Sequence, residues 1–457
     1  MKNSLRNSIF ISCLISMTAM ADNPIDQVLP DAPALAPYGE YSIGVRTLNL
    51  INPNQIDVVT LSTEGPNPKD GSLPIYDRPL TVEIWYPAAD KSYRSDYGKY
   101  NDRKSAYGKY RNDKKPHHHK DSAYNNVYLF DGTTKVSLSG KAKRNAPPAN
   151  YSGPYPLIII SHGYPGNRFL LTPIAENLAS KGYVVVSIDH TDSTYRDQNA
   201  FVSTLVNRPL DQMFVLNAME QPNHFLSGLI DTQNTGLIGY SMGGYGAVVS
   251  AGGAVSQVGV DFTGGLLAMY TADNKAYQAF PDPRLKAIVS IGPWGKELGL
   301  WDKEGLSGVS VPMLYMAGSA DSTSGYENGV KAIFEESVNT DRYLLTFENA
   351  EHSAAAPMPA PKEAWNLTSE GFQHYNDVVW DNVRMNNISQ HFITAFMGLH
   401  TKGDLGMSSY FDLIENANNG VYALDSEGNP TAEHTYWNGF KKETALGLKM
   451  EFKEKYQ

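Results

Sequence analysis

From Tyr155 onward, two kinds of apolar pattern alternate along the chain. Pro156–Ser161, Tyr183–Ile188, Thr235–Ile238, Leu285–Ile291, Val311–Met316 and Arg342–Phe347 are short, mostly continuous apolar runs of strand length, as expected for parallel strands buried on both faces. Across Arg168–Lys181, by contrast, Leu171, Ile174, Ala175 and Leu178 recur at helical spacing, with Gly182 placed to end the helix. A second helix is expected over Pro209–Met219. Strand, helix, strand, repeated in this order, predicts a doubly wound, mostly parallel α/β sheet. Tyr41–Leu50 and Leu80–Tyr86 read as edge strands preceding it. In a C-terminal extension over about 357–457, Asn376–Met397 reads as a long amphipathic helix that closes the sheet, with Val379, Val383, Phe392 and Phe396 on its packed face.

Two segments break this pattern. Residues 1–21 carry a short basic start (Lys2, Arg6), an apolar run over Ile9–Ala19 and an A-x-A-like end at Ala19-Met20-Ala21, which reads as a secretory signal. The run is too short to span a bilayer, and no later stretch is long and apolar enough. The chain after residue 21 is expected to be secreted or periplasmic and to form a single domain, 22–457. The one cysteine, Cys13, lies in the leader, so a disulfide framework and cysteine chemistry are excluded from the mature chain. The second segment, about 91–120, holds ten Lys or Arg against three Asp, repeats Tyr97-Gly98-Lys99-Tyr100 as Tyr107-Gly108-Lys109-Tyr110, and closes on His117-His118-His119. It reads as a solvated insertion near the N-terminal edge strands; the other reading is a basic, aromatic arm for an anionic surface or polymer. Three adjacent histidines do not converge easily on one ion, so no metal is assigned. The full chain carries a net charge of −10, which disfavours nucleic acid as a partner.

Chemistry enters at Gly239-Tyr240-Ser241-Met242-Gly243, a G-x-S-x-G after a strand-like run and before a helix-like one. This is the pattern of a nucleophile elbow, in which a sharp strand-to-helix turn exposes the serine hydroxyl. Serine is a weak nucleophile at neutral pH and needs a base within hydrogen-bond reach and an acid to orient that base. Beyond such an elbow the acid and then the histidine follow in chain order. Asp321 follows the strand Val311–Met316, and His352 follows Arg342–Phe347, so these are the candidate acid and base; Asp302 and Glu351 are rival acids. The developing oxyanion needs donors: the backbone N–H of Met242, just after the serine, and that of Tyr164, in Ser161-His162-Gly163-Tyr164-Pro165-Gly166. His162 is expected to brace this loop, and His374 and His391 to be structural.

Several of these segments resemble one known group. Pro79–Pro87 (PLTVEIWYP), the loop Ser161–Gly166, Arg208-Pro209, the elbow, Asn386–Phe392 and Trp437-Asn438-Gly439-Phe440 are similar to the bacterial dienelactone-hydrolase-like α/β-hydrolases, themselves similar to platelet-activating-factor acetylhydrolases. The resemblance runs over about residues 38–451 apart from the insertion. It implies an α/β-hydrolase fold and the Ser241, Asp321, His352 triad, with no cofactor. True dienelactone hydrolases use a cysteine nucleophile, from which Ser241 departs. Tyr164, Met242 and Trp294 also resemble the cleft of polyester-degrading cutinases, implying that Tyr164 and Trp294 flank a substrate. Trp294 packed under a loop is the other reading. The expected activity is a carboxylesterase on a small or polymeric ester, with an acetylhydrolase, a polyester hydrolase, a peptidase and a non-catalytic binding protein as alternatives.

Overall fold

A computed structural model of the chain describes residues 23–67, 69–89, 123–150, 153–198, 200–275 and 277–456. The expected leader (1–21) and basic insertion (91–120), with its three histidines, lie outside the described residues. The strands are β1 (Asn23–Pro24), β2 (Ser42–Ile56), β3 (Ile75–Ala88), β4 (Tyr124–Tyr128), β5 (Lys135–Ser139), β6 (Lys143–Arg144), β7 (Tyr155–Ser161), β8 (Val184–Asp189), β9 (Ile230–Tyr240), β10 (Leu285–Ile291), β11 (Met313–Gly318), β12 (Arg342–Phe347) and β13 (Leu448–Lys453). Ten of them form one sheet in the order β13-β12-β11-β10-β9-β7-β8-β3-β2-β6, and β1-β5-β4 form a small second one.

The five pairings from β8 through β7, β9, β10 and β11 to β12 are all parallel. Within these strands, alternate residues face opposite layers. Leu157 and Ile159 pack with the helices Phe201–Glu220 and Met242–Ser250, and Ile158 and Ile160 with Thr172–Ser180 and Asn382–Thr401. Both faces are covered, which is why these strands read as unbroken apolar runs. After β7 the chain first adds β8 on one side and then β9 on the other. That reversal opens a crevice at the carboxyl ends of β7 and β9, where a ligand site in such a sheet is expected.

Four elements differ from expectation. Leu80–Tyr86 is not an edge: β3 pairs with β2 on one side and β8 on the other. The second helix begins at Phe201, with Pro209 inside it. Pro209 has no N–H for the Leu205 carbonyl one turn back, and the Tyr245 hydroxyl donates to that oxygen instead, at 3.2 Å. The long C-terminal helix is Asn382–Thr401, capped by Asp381, whose carboxylate accepts the Arg384 N–H at 2.8 Å. Before it, Asp377 accepts the N–H groups of Val379 and Trp380 and turns the chain, leaving Val379 62% exposed and off the helix, while Phe392 and Phe396 are fully buried. Finally, the sheet is closed by β13, antiparallel to β12, rather than by this helix, which packs on a face. Among the described residues, no helix is long and apolar enough to cross a membrane.

Candidate active site

At the end of β9 the backbone turns directly into the helix Met242–Ser250, and Ser241 at the junction has φ 55° and ψ −113°. A non-glycine residue in so sparsely populated a conformation costs about 1–3 kcal/mol and persists only where its surroundings over-determine it. Here the flanking glycines provide that constraint. A Cβ on Gly239 would sit 2.2 Å from the Gly243 carbonyl oxygen, and one on Gly243 would sit 2.0 Å from the Ser161 carbonyl oxygen. The turn can close this tightly only because both positions lack a side chain. Ser241 is further held by its N–H to the Ile291 carbonyl (2.8 Å), and its own carbonyl accepts from Tyr245 (2.9 Å) and Trp294 (3.3 Å).

The loops after β11 and β12 bring Asp321 and His352 to this turn. His352 Nε2 is 2.8 Å from Ser241 Oγ, and His352 Nδ1 is 2.8 Å from Asp321 Oδ2. The other Asp321 oxygen accepts the backbone N–H groups of Thr323 (2.9 Å) and Ser324 (2.8 Å). Burial works against the Asp321 charge. The His352 interaction and these two N–H groups outweigh it, so its pKa lies below the usual carboxylate value. The imidazole stacks on the Tyr240 ring at 5.3 Å, and the Tyr240 hydroxyl donates to the His352 carbonyl (3.2 Å). Asp302 and Glu351 are engaged elsewhere: Asp302 caps a short helix by accepting the Gly305 N–H, and Glu351 accepts the N–H and hydroxyl of Ser322.

The serine opens into a cavity of about 380 Å³. The first hydrogen bond within the helix after Ser241 is donated by Tyr245, so the Met242 N–H, in the first turn, has no acceptor in its own helix. Gly163 packs against Ser241, since a Cβ there would lie 3.1 Å from Ser241 Cβ, and Tyr164 lines the cavity beside it. Trp294 is not among the lining residues. Phe201, which the sequence reading missed, stands between the two, edge-on to Tyr164 at 5.3 Å and to Trp294 at 5.4 Å. Also missed were Phe130, from the turn between β4 and β5, and Gln373, from the C-terminal extension, which line the cavity together with His374, expected only to be structural. No local motif marks them. His374 Nε2 pairs with the Tyr195 hydroxyl at 2.7 Å, and burial pulls its pKa down to about 3, so it is neutral. His391 lies away from the cavity and accepts the Leu35 N–H at 3.1 Å. No lysine or arginine is among the lining residues, which include two carboxylates, Glu351 and Glu370. Among the described residues, no group of three or more His, Cys, Asp or Glu could hold a metal ion.

A parallel sheet reversing at β7, a serine on a strand-to-helix elbow at that point, and a histidine and an aspartate delivered by later strands together define the α/β-hydrolase fold. The comparisons are narrower. Residues 124–258 match a family model described as PET hydrolase-like. Over 201 residues the chain is 26% identical to cutinase est1 and, over another 201-residue alignment, 25% identical to cutinase est2, both of Thermobifida alba. Each alignment covers 44% of this chain, and the match spans about half of each relative, 54% and 53%. A ferulic acid esterase from Streptomyces cinnamoneus shares the fold at a TM-score of 0.53 and 18% identity, over 84% of this chain and 94% of that one.

Proposed function

We propose that this protein is a serine hydrolase that cleaves carboxylic esters through an acyl-enzyme. The observation that carries the reading is the continuous hydrogen-bonded chain Ser241–His352–Asp321, with its serine end open to the cavity. Ser241 Oγ attacks the ester carbonyl carbon as its proton passes to His352 Nε2, and Asp321 stabilises the imidazolium. The tetrahedral oxyanion takes the N–H groups of Met242 and Tyr164. Collapse breaks the bond to the alkoxy oxygen, which leaves with the proton from His352. Water then attacks the acyl group with His352 as base, releasing the acid and restoring Ser241. No cofactor takes part.

Ester substrates are favoured by the names of the relatives: two cutinases, a ferulic acid esterase and a PET hydrolase-like family model. The wall of the cavity narrows the choice. A phospholipid headgroup would bring an anionic phosphate to lining residues that include two glutamates and no lysine or arginine, which argues against the acetylhydrolase alternative. Tyr164 in the wall, continued beyond the lining residues by the aromatic row Phe201–Trp294, favours a second, more specific reading, an ester with flat or extended apolar groups such as a polyester. Export to the periplasm or medium is part of the proposal and rests on residues 1–21. Ser241→Ala tests the core of it. The variant is expected to keep its circular-dichroism spectrum and lose hydrolysis of a short-chain nitrophenyl ester. Retained turnover would exclude this serine as the nucleophile and point to a differently wired enzyme, whereas no turnover by the unmodified protein either would leave a non-catalytic binding protein.

A further inference from the structure

A second set of buried charged groups lies directly behind the oxyanion loop, and the mechanism above does not use it. Arg208, 1% exposed on the helix Phe201–Glu220, donates through one terminal nitrogen to the His162 carbonyl (2.7 Å) and through the other to the Gly163 carbonyl (3.0 Å) and the Ser193 hydroxyl. Its Nε has no partner. Burial lowers its pKa to about 9, which still leaves it protonated at neutral pH. His162 reaches the same acceptor: its Nδ1 is 2.7 Å from the Gly163 carbonyl, while its Nε2 accepts the His190 N–H at 3.3 Å. Because a carbonyl can only accept and the His190 amide can only donate, these two bonds fix His162 as the tautomer protonated at Nδ1. One turn along the same helix, Asp211 accepts from Arg78 (2.9 Å) and pairs with His190 Nδ1 (2.9 Å), and His190 Nε2 meets Ser161 Oγ (2.9 Å). This Ser–His–Asp chain resembles the catalytic one in its connectivity but is wholly buried, so it can brace and cannot turn over substrate.

The Gly163 carbonyl is therefore held by two donors, one of them cationic. Its peptide unit is planar and trans or cis as a whole, so fixing the C=O edge fixes the attached N–H of the next residue as well. That residue is Tyr164, the candidate second donor of the oxyanion hole. A buried guanidinium with an unpartnered Nε is poor value for stability alone, since an apolar side chain could fill the space without the desolvation cost. Polarisation supplies a reason for it. Hydrogen bonds accepted at one end of an amide strengthen the donor at the other.

We propose that Arg208 and His162 are positioning residues that lock and polarise the Gly163–Tyr164 peptide, so that the Tyr164 N–H is held ready for the oxyanion. The inference rests on Ser241 being the nucleophile. Neither side chain touches the substrate; both act through the peptide bond between them and the cavity.

The test compares Arg208→Met and Arg208→Lys with the unmodified full chain on a nitrophenyl ester and on the matching thionoester, whose sulfur accepts hydrogen bonds poorly. For Arg208→Met, kcat is expected to fall by roughly 10- to 100-fold, short of the 10²- to 10³-fold seen when an oxyanion donor is lost outright. KM should stay within about threefold, as for an interaction made only in the transition state. The preference for the oxygen ester over the thionoester should shrink in parallel, and Arg208→Lys, able to meet one carbonyl but not both, should fall between. Should Arg208→Met not fold, the pair His162→Asn and His162→Leu carries the same test. Asparagine keeps a donor near the Nδ1 position and should retain most of kcat and of the oxygen preference, and leucine should lose both. A fall in thermal midpoint with kcat and the oxygen-to-sulfur ratio unchanged would make these residues structural only and overturn the proposal. Ser241→Ala, run alongside, separates the two failures: if it stays active, the nucleophile assignment is what has failed.

Discussion

Replacing Asp321 by asparagine changes one atom, and the structure determines which way the new side chain must face. One Asp321 oxygen accepts two backbone N–H groups, from Thr323 and Ser324, and the other meets His352 Nδ1. The asparagine carbonyl has to take the place of the first oxygen, because an NH₂ there would oppose two donors. The NH₂ then faces His352 Nδ1, which can accept only if the imidazole proton moves to Nε2. In that tautomer Nε2 donates to Ser241 Oγ and cannot take its proton. Loss of the correct tautomer in triads of this kind costs about 10⁴-fold in kcat, or about 5.4 kcal/mol at 1.36 kcal/mol per decade. Steady-state hydrolysis of a nitrophenyl ester measures it directly, with KM expected to change little. A second readout comes from stability. The native pKa of Asp321 lies below its unfolded value, so its contribution is complete above about pH 4, where an unfolded aspartate is ionised, and is lost as pH falls through the native value. The thermal midpoints of the two proteins should therefore converge on acidification below about pH 4. A variant within tenfold of the unmodified enzyme would refute both the choice of acid and the tautomer argument, and would turn attention to Glu351.

Two further substitutions probe the surroundings. Asp302→Ala removes the cap that accepts the Gly305 N–H at 2.7 Å and should cost about 1 kcal/mol in urea denaturation while leaving kcat/KM unchanged, which separates this rival acid from Asp321. Arg78→Met strips Asp211 and Asp192 of a guanidinium that meets them at 2.9 and 3.1 Å; leaving both carboxylates without this cation, with His190 left on Asp211 and the Ser203 hydroxyl on Asp192, should cost roughly 3–5 kcal/mol in the same assay, and a loss under about 1 kcal/mol would mean that these partners or solvent suffice.

What the sequence displays and what it hides follow from how far each feature depends on distant chain. Leu285–Ile291 and Arg342–Phe347 are found where their apolar runs end, because a strand covered on both faces is apolar over most of its length, with Lys286 and Arg342 confined to the start of each strand. The ends of other elements shift for reasons no local pattern carries. Pro209 reads as a helix start because proline suits the first turn, yet it sits mid-helix because Tyr245, 36 residues later in the chain, supplies the Leu205 carbonyl with a donor. Likewise β13 alternates buried Leu448 and Met450 with more exposed positions, a weak pattern that gains meaning only from pairing with β12.

The same distinction divides the site. On the nucleophile side the determinants are local: Gly239 and Gly243 flank Ser241 within five residues, and the contacts that exclude a Cβ at each are made within the turn itself or to the adjacent β7. Asp321 and His352 are nearly as legible, because each follows a strand whose carboxyl end must lie at the same edge of a parallel sheet. The oxyanion side is different. His162-Gly163-Tyr164 can be picked out as a loop, but the groups that hydrogen-bond to it or lie behind it are distant in sequence: Arg208, 45 residues beyond Gly163, and Asp211 through His190. The wall of the cavity is more remote still, since Phe130 and His374 arrive from two separate segments and Phe201, edge-on to Tyr164, from a third. A reader of the sequence thus obtains the reacting groups first and the selecting groups last. On the proposed function, reactivity rests on a tight turn and on sheet order, both of which short motifs specify; selectivity rests on side chains brought together only by the completed fold.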